Sequence, residues 1–501
     1  MRSKTIQTLK NRLMRIQDLL CVEELLGWDQ QVFMPPGGTE ARVRHMGLLA
    51  SIRHGELCSS ELGELIDEAA GKVSSGSDDE ALVREARRER DRAVRLSSDL
   101  VRKTAEAVGR GQKFWIEARK KNDFLHFVPA LKEIVFLKKE HAHALSDSGA
   151  KFVYDVLLDE YEPGATVVQL DQLIGSTANH AKKLYEGVCL SEPNTDLRFP
   201  SDSLKAQKIF CRRILEWIGF DFNGGRLDES VHPFTSSFDT RDVRLTTHYD
   251  PDCLTRAALS TLHEGGHGLY EQGLCREHSS TPLGQSLSLG IHESQSRFWE
   301  NQVGRRMAFW CFAQADLKEI FGPALVGVNP EHLYNAVNKV KASPVRINAD
   351  EVTYNLHIAL RYELEKGLLD GALAVEDLEG AWNEEMQKLL GIRPTDPRQG
   401  VLQDIHWSMG LFGYFPTYLL GNLYAAQWAW AMEKELGTLD ELIENGGFLE
   451  IKDWFRRNIH VHGRRWSTDE ITRRATGSSL DSSFFKDYIE KKHSELCRVG
   501  F

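Results

Sequence analysis

Amphipathic helical periodicity dominates this sequence of 501 residues. Apolar residues recur at three- and four-residue spacing, which predicts helices at about 127 to 147, 204 to 218, 351 to 368 and 377 to 390. A charged segment, EALVREARRERDRAVRLSSDLV, follows the flexible connector GKVSSGSDD and predicts one further helix with a solvated face. Strands and helices do not alternate as a parallel sheet would require. The sequence therefore predicts a mainly α fold.

One segment departs from the helical pattern. In residues 231 to 249, VHPFTSSFDTRDVRLTTHY, Thr, Ser, Val and Phe alternate with charged residues around a turn-prone stretch from Asp239 to Asp242. This pattern is typical of a β-hairpin. An edge strand here could hold an extended peptide by backbone hydrogen bonds, and a purely structural hairpin explains the pattern equally well.

Composition and charge narrow the range of partners and locations. The formal charge of -11 argues against a nucleic-acid partner, because phosphate binding needs concentrated Lys and Arg. The eight cysteines lie far apart without a C-x-x-C pair, as expected for reduced thiols in the cytoplasm. No run of about 18 apolar residues is present, so no membrane partner is expected.

The N-terminal segment allows two interpretations. Its first 17 residues are basic and contain no acidic side chain, as in a mitochondrial presequence. However, apolar residues lie at helical spacing, namely Leu9, Leu13, Ile16, Leu19 and Leu20. This spacing favours a plain first helix of the folded protein.

The most distinctive motif is H-E-x-x-H at residues 263 to 267. A helix is predicted from near Asp252 through TRAALSTLHEGGHGLYEQ, so His263 and His267 project from one face and can share a metal ion. Glu264 lies one position on, about 100 degrees round the helix. Its carboxylate can accept a proton from a water molecule activated by that metal. The motif therefore predicts a hydrolytic metal site.

Two glycines inside the motif support this interpretation against coincidence. A chain with 18 histidines would contain one H-E-x-x-H by chance on the order of a few per cent of the time. Gly265 and Gly266 each cost about 1 kcal/mol relative to Ala within a helix. Such a cost makes sense where another backbone or a substrate must approach closely.

A catalytic zinc site also needs a third protein ligand. Tyr270 and Gly273 occupy the positions where the metzincin pattern has Gly and His, so that class is excluded. We favour Glu293 in GIHESQSRFWEN, because the residues after Gly290 can wind into a second helix facing the first. The rival ligands are Glu271, Glu277, His278 and His292.

Other side chains could bind the substrate or stabilise an oxyanion. Arg346 lies in SPVRINADEVTYNLH, where its guanidinium could grip a terminal carboxylate through two hydrogen bonds. A salt bridge to Asp350 or Glu351 explains this arginine equally well. His406 and the tyrosines of FGYFPTY are further candidates.

The sequence resembles the carboxypeptidase Taq family of metallocarboxypeptidases in more than H-E-x-x-H. Five further signatures of that family occur in order: HPF at 232, DxRxT at 242, HESQ at 292, RxxAD at 346 and GxxQDxHW at 400. One conservative departure is Val345, where Ile usually precedes the arginine. The resemblance extends over the whole chain, from WD at 28 and MPPGG at 34 to FGYFPTYLLGNLYAAQ at 412.

This resemblance implies a fold and a set of site residues. The fold is a single catalytic domain over residues 1 to 501, a two-lobed helical body with a deep groove and a small hairpin or sheet beside the metal site. The implied residues are His263, His267 and Glu293 as metal ligands, Glu264 as general base, Arg346 as the receptor of the substrate's C-terminal carboxylate, and His232, His406 and Tyr418, in preference to Tyr414, as lining residues.

The resemblance also implies an activity. We expect a metal-dependent carboxypeptidase that releases single amino acids from peptides with a free C-terminus. It would hold one divalent metal ion per chain, zinc in preference to cobalt or manganese, and would form a homodimer. An oligopeptidase that cuts internally is the nearest alternative. A catalytically silent binding protein is less consistent, because Glu264 and every ligand are intact.

Overall fold

The structure of the protein is a computed structural model that describes residues 4–146, 152–187, 203–251 and 253–499. Helices make up most of this part of the chain, which confirms the predicted mainly α fold. In chain order they are α1 (Lys4–Val32), α2 (Thr39–Leu57), α3 (Ser60–Ala70), α4 (Asp78–Arg95), α5 (Ser98–Lys121), α6 (Val128–Leu145), α7 (Val153–Leu158), α8 (Val167–Gly187), α9 (Leu204–Trp217), α10 (Leu254–Gly273), α11 (Leu289–Arg297), α12 (Met307–Phe321), α13 (Pro330–Val337), α14 (Tyr354–Asp370), α15 (Leu378–Leu390), α16 (Pro416–Leu436), α17 (Leu439–Glu444), α18 (Phe448–Asn458), α19 (Thr468–Thr476) and α20 (Ser483–Val499).

The four long helices predicted from periodicity are present as α6, α9, α14 and α15. The predicted end of the first at residue 147, and the predicted start of the motif helix near Asp252, lie outside the described residues. The prediction of a single charged helix after the connector is wrong. It is divided between α4 and α5, because Ser97 adopts an extended conformation and its hydroxyl accepts a hydrogen bond from the Leu100 amide, which caps a new helix.

The first helix is part of the fold, as its leucine spacing predicted. Ile6, Leu9 and Leu13 on α1 are almost fully buried. They pack with apolar side chains of α3 and α4, including Leu62 and Leu82, into a small core of their own. A second and much larger core contains buried residues from each of the helices α5 to α20.

A three-stranded sheet lies beside α10. Its strands are β1 (Gly225–Glu229), β2 (Thr235–Asp239) and β3 (Asp242–Thr247), in the order β1-β3-β2. Strands β2 and β3 form the predicted antiparallel hairpin. The parallel strand β1 was not predicted, because GRLDE is short and mostly charged. Val243 and Leu245 of β3 are fully buried, and Leu245 packs on α10 at Gly268.

Helix α11 is held between α10 and α16 by close backbone approaches. A Cβ atom at Gly266 of α10 would overlap the backbone of Gln295 on α11. A Cβ atom at Gly421 of α16 would lie 2.5 Å from the Glu293 Cγ. The prediction that the glycines of the H-E-x-x-H motif permit a close approach is therefore confirmed for Gly266, and the neighbour is a backbone.

The structure also describes the state of the cysteines and the apolar character of the helices. Six cysteines are free of disulfides in the part of the chain that is described: Cys21, Cys58, Cys211, Cys253, Cys275 and Cys311. Among the helices of that same part, none has the length and apolar character needed to cross a membrane.

We expect Gly266→Ala to lower the free energy of unfolding by roughly 1–3 kcal/mol, because the new methyl group would push α10 and α11 apart. Gly175→Ala is the matched control, since Gly175 lies within α8 and a Cβ atom there meets nothing within 4 Å. That substitution should stabilise the protein by roughly 0.5–1 kcal/mol. Denaturant unfolding of both variants without metal checks the prediction, and equal stabilities would contradict it.

Candidate active site

Two helices bring together the three residues selected from the sequence as ligands. Helix α10 supplies His263 and His267, and α11 supplies Glu293. The Glu293 Oε2 atom lies 3.9 Å from His263 Nε2 and 3.4 Å from His267 Nε2. One ligand atom from each of the three residues lies within 4.8 Å of the other two. The three side chains therefore converge as one divalent metal ion requires.

The rival ligands do not join this cluster. Glu277 is exposed, and His278 faces Asp78, with 3.5 Å between His278 Nε2 and Asp78 Oδ2. His292 and Glu271 lie close to the cluster but behind His267, where His292 Nδ1 is 2.5 Å from His267 Nδ1.

Carboxylates and guanidinium groups hold the three side chains from behind. Glu300 accepts a hydrogen bond of 2.9 Å from His263 Nδ1, which leaves Nε2 of that imidazole facing the cluster. Arg297 donates a hydrogen bond of 2.7 Å to Glu293 Oε1, so Oε2 of that carboxylate faces the cluster. Arg305 donates to Glu300 in turn. Such outer partners fix the orientation and tautomer of metal ligands.

Sequence reasoning missed these supporting residues, although one local signal was available. Arg297 lies four residues after Glu293 on α11, the spacing at which opposite charges meet on a helix. Glu300 lies in a π-helical turn, Phe298–Val303, that continues α11. The wider turn changes the direction of the side chain, and α-helical spacing could not predict it.

The electrostatics of the cluster suit a cation. Burial would raise the pKa of the Glu293 carboxyl, but Arg297, His263 and His267 outweigh burial and hold the pKa well below its usual range. Burial and the neighbouring His292 lower the pKa of His267 to about 3. An ionised carboxylate and a neutral imidazole are the forms that bind a metal. Burial would lower the pKa of His263, but Glu293, Glu300 and Glu264 outweigh burial and raise it, so a metal ion would take the place of a proton on that imidazole. The donor set therefore fits a divalent ion in geometry, and its carboxylates attract positive charge.

Glu264 is buried beside the cluster and is held by the sheet. Its Oε2 accepts a hydrogen bond of 2.7 Å from the Thr235 hydroxyl at the start of β2. Burial raises the pKa of the Glu264 carboxyl, and His263 and Thr235 offset only part of this effect. A carboxylate with a raised pKa is a stronger base, which suits it to accept a proton.

Arg346 is buried and paired, although its partner is neither of the two acids that the sequence suggested. Its Nε and Nη2 donate to Asp404 Oδ1 at 3.1 and 2.8 Å, and its Nη1 donates to the Tyr354 hydroxyl at 3.0 Å. The guanidinium carbon lies 4.9 Å from the centroid of the Tyr418 ring. The signatures RxxAD and GxxQDxHW therefore meet at one salt bridge.

The alternative interpretation of Arg346, a salt bridge to Asp350 or Glu351, is wrong. Asp350 accepts hydrogen bonds from backbone amides, including those of Val352 and Thr353. Glu351 pairs with Lys492 on α20 at 2.6 Å. Both carboxylates are therefore committed elsewhere, and the partner of Arg346 lies 58 residues along the chain.

The remaining predicted residues are only partly brought together. His406 Nε2 lies 3.1 Å from the Tyr418 hydroxyl, and the Tyr414 ring lies 5.4 Å from the Tyr418 ring. Burial lowers the pKa of His406 to about 3, so its imidazole is neutral. His232 is exposed before β2, and no side-chain contact described for it reaches the other site residues.

Comparisons with known proteins cover nearly the whole chain. Residues 8–493 match the family model described as carboxypeptidase Taq (M32) metallopeptidase. The chain is 41% identical to thermostable carboxypeptidase 1 of Thermus thermophilus, over 94% of this chain and 95% of that protein. It is 36% identical to carboxypeptidase 1 of Bacillus subtilis, over 94% of each.

A solved structure gives the same result. The M32 carboxypeptidase from Deinococcus radiodurans superposes with a TM-score of 0.95 at 37% sequence identity, over 99% of each chain. The resemblance found in the sequence motifs is confirmed at the level of the whole molecule. The chain therefore belongs to the carboxypeptidase Taq (M32) family, and it is a metallocarboxypeptidase, a metal-dependent hydrolase acting at the C-terminus of peptides.

Proposed function

We propose that His263, His267 and Glu293 hold one divalent metal ion, zinc in preference to cobalt or manganese, and that Glu264 is the general base. The convergence of one ligand atom from each of the three residues within 4.8 Å carries this proposal. The ionised state of Glu293 and the neutral state of His267 support it. A His2Glu donor set is typical of catalytic zinc sites.

The proton transfers follow from how Glu264 is held. A metal ion at this site would polarise the scissile carbonyl and lower the pKa of a water molecule toward about 7. Glu264 Oε2 is bound by Thr235, which leaves Oε1 to accept the proton of the attacking water. The same carboxyl then donates the proton to the leaving amine.

Arg346 is the proposed receptor for the C-terminal carboxylate of the substrate. Three of its five N–H groups are used by Asp404 and Tyr354. One N–H on each terminal nitrogen is left, and this pair matches the two oxygens of a carboxylate. Burial strengthens such a pairing, because water competes less for the guanidinium.

The position of Tyr354 supports release of a single amino acid. Its hydroxyl accepts from Arg346, and its ring lies 4.3 Å from the guanidinium carbon of Arg297, which holds Glu293. One tyrosine thus links the proposed carboxylate receptor to a proposed metal ligand. A fixed spacing between the carboxylate receptor and the metal ion would direct hydrolysis to the last peptide bond of the substrate.

Three further residues are proposed to line the site. The Tyr418 hydroxyl, which is hydrogen-bonded to His406, would polarise the scissile carbonyl, because the Tyr418 ring lies beside both Arg346 and the Tyr414 ring. His232 would line the rim, since it is exposed at the turn before β2.

We also infer a cytoplasmic homodimer in which residues 1 to 501 form a single catalytic domain. The free cysteines support a reducing compartment. The family resemblance supports the dimer. Cell fractionation and sedimentation of the purified protein test the two inferences separately.

Glu264→Gln should lower kcat by roughly 10²- to 10⁴-fold while leaving the metal content unchanged, because the amide cannot accept the proton and the ligands are untouched. Glu277→Gln is the matched control, since that glutamate is exposed on the same stretch of chain. Metal analysis and steady-state kinetics of both variants check the prediction. Wild-type turnover in Glu264→Gln would refute the role of the base.

Arg346→Ala should lower kcat/KM roughly 10- to 100-fold for a peptide with a free C-terminus, since hydrogen bonds to a charged group are lost. Arg346→Lys should recover only part of the activity, because lysine lacks the planar pair of donors. The amidated form of the same peptide is the internal control. A variant that retained the wild-type preference for the free over the amidated peptide would exclude Arg346 as the receptor.

Removal of the metal with a chelator should abolish hydrolysis, and Zn²⁺, Co²⁺ or Mn²⁺ should restore it. Mg²⁺ should not, because it prefers oxygen ligands in an octahedral arrangement to two imidazoles. Peptide hydrolysis after addition of each ion to the metal-free protein checks this. Full activity of the metal-free protein would contradict the proposed mechanism.

A further inference from the structure

His292 lies directly behind His267, on the side away from Glu293. The two Nδ1 atoms are 2.5 Å apart, and the two rings meet at these atoms with their centroids 4.4 Å apart and an interplanar angle of 29°. On its far side, His292 Nε2 lies 2.8 Å from Glu271 Oε1. A carboxylate, a histidine and a second histidine therefore form one line that ends at the cluster.

The hydrogen positions along this line are fixed by the chemistry at its two ends. His267 must present an unprotonated Nε2 to a metal ion, so the proton of the neutral imidazole is on Nδ1. His267 Nδ1 then donates to His292 Nδ1, and the proton of His292 is on Nε2. His292 Nε2 donates in turn to the carboxylate of Glu271. Every donor along the line thus faces an acceptor.

The two histidines of the H-E-x-x-H motif are supported in different ways. His263 donates directly to a carboxylate, Glu300, at 2.9 Å. His267 reaches its carboxylate, Glu271, only through His292. Residues 292 and 293 are neighbours on α11, so this helix contacts His267 on one side with an imidazole and on the other with a carboxylate.

We propose that His292 and Glu271 are positioning residues that fix the tautomer and orientation of His267 and thereby set the affinity of the site for its metal ion. The proposal rests on the proposed function, because it takes His267 to be a ligand. Neither residue contacts the reacting atoms in this role. The measurable consequence is the dissociation constant for Zn²⁺, which can be determined without any substrate.

The test titrates Zn²⁺ into the metal-free full-length protein in competition with a chromophoric chelator. His292→Phe keeps an aromatic ring beside His267 but removes the acceptor, and we expect a roughly 10- to 100-fold higher Kd for Zn²⁺. His278→Phe is the matched control, since the same substitution there lies outside the line, and its Kd should stay within about twofold of wild type. Thermal unfolding of the metal-free proteins checks that each variant folds.

His292→Asn provides a second variant should the Phe variant fail to fold. The Asn side-chain oxygen can take the place of Nδ1 and accept from His267, so its Kd should lie between wild type and His292→Phe. Its amide cannot reach Glu271 as the ring does, so Glu271→Gln should raise the Kd in wild type and should have no further effect in His292→Asn.

The outcomes separate this proposal from the proposed function. A Kd for His292→Phe or His292→Asn within about twofold of wild type would overturn the positioning role of His292 and Glu271 and leave the metal site intact. Equal effects of Glu271→Gln in the wild-type and His292→Asn backgrounds would also overturn it. Failure of the wild-type protein itself to bind Zn²⁺ would overturn the proposed metal site and the positioning role together.

Discussion

The close packing of α11 against α10 and α16 is the constraint on which the site depends. Glu293 can face two histidines of another helix only because Gly266 and Gly421 have no side chain where α11 passes. The glycine in α10 costs about 1 kcal/mol of helix stability, which is small beside the effect of separating the two helices. The relative positions of the three proposed metal ligands are therefore set by backbone contact between the helices.

Charge is the second requirement, and it is met by a buried network. Glu293 is buried and Glu300 is largely buried, with its side chain 13% exposed, and an isolated charge in such a place would cost several kcal/mol. Arg297 donates to both carboxylates, which holds them ionised, and Arg305 adds a second donor to Glu300. The network orients the ligand side chains before any metal ion arrives, so binding requires little rearrangement.

The site residues that could be predicted from the sequence are those that lie close together along the chain. His263, Glu264 and His267 lie within five residues, so helical geometry alone places them on one helix. Glu293 required elimination of other patterns and a family resemblance, because 26 residues separate it from His267. The partner of Arg346 could not be predicted, since Asp404 is brought to it only by the packing of the complete fold. Glu300 was missed for a different reason: a π-helical turn breaks the spacing on which such predictions depend.

The hairpin illustrates how one local pattern can serve two purposes. Thr235 of β2 holds Glu264, so the hairpin positions the proposed base whether or not it also binds a peptide. The other edge of β2 has no strand partner in the described sheet, and a cavity of about 540 Å³ lies between this strand and α1. His292 and Glu271 line the same cavity. The strand that holds the proposed base and the two residues proposed to position His267 therefore line the same cavity.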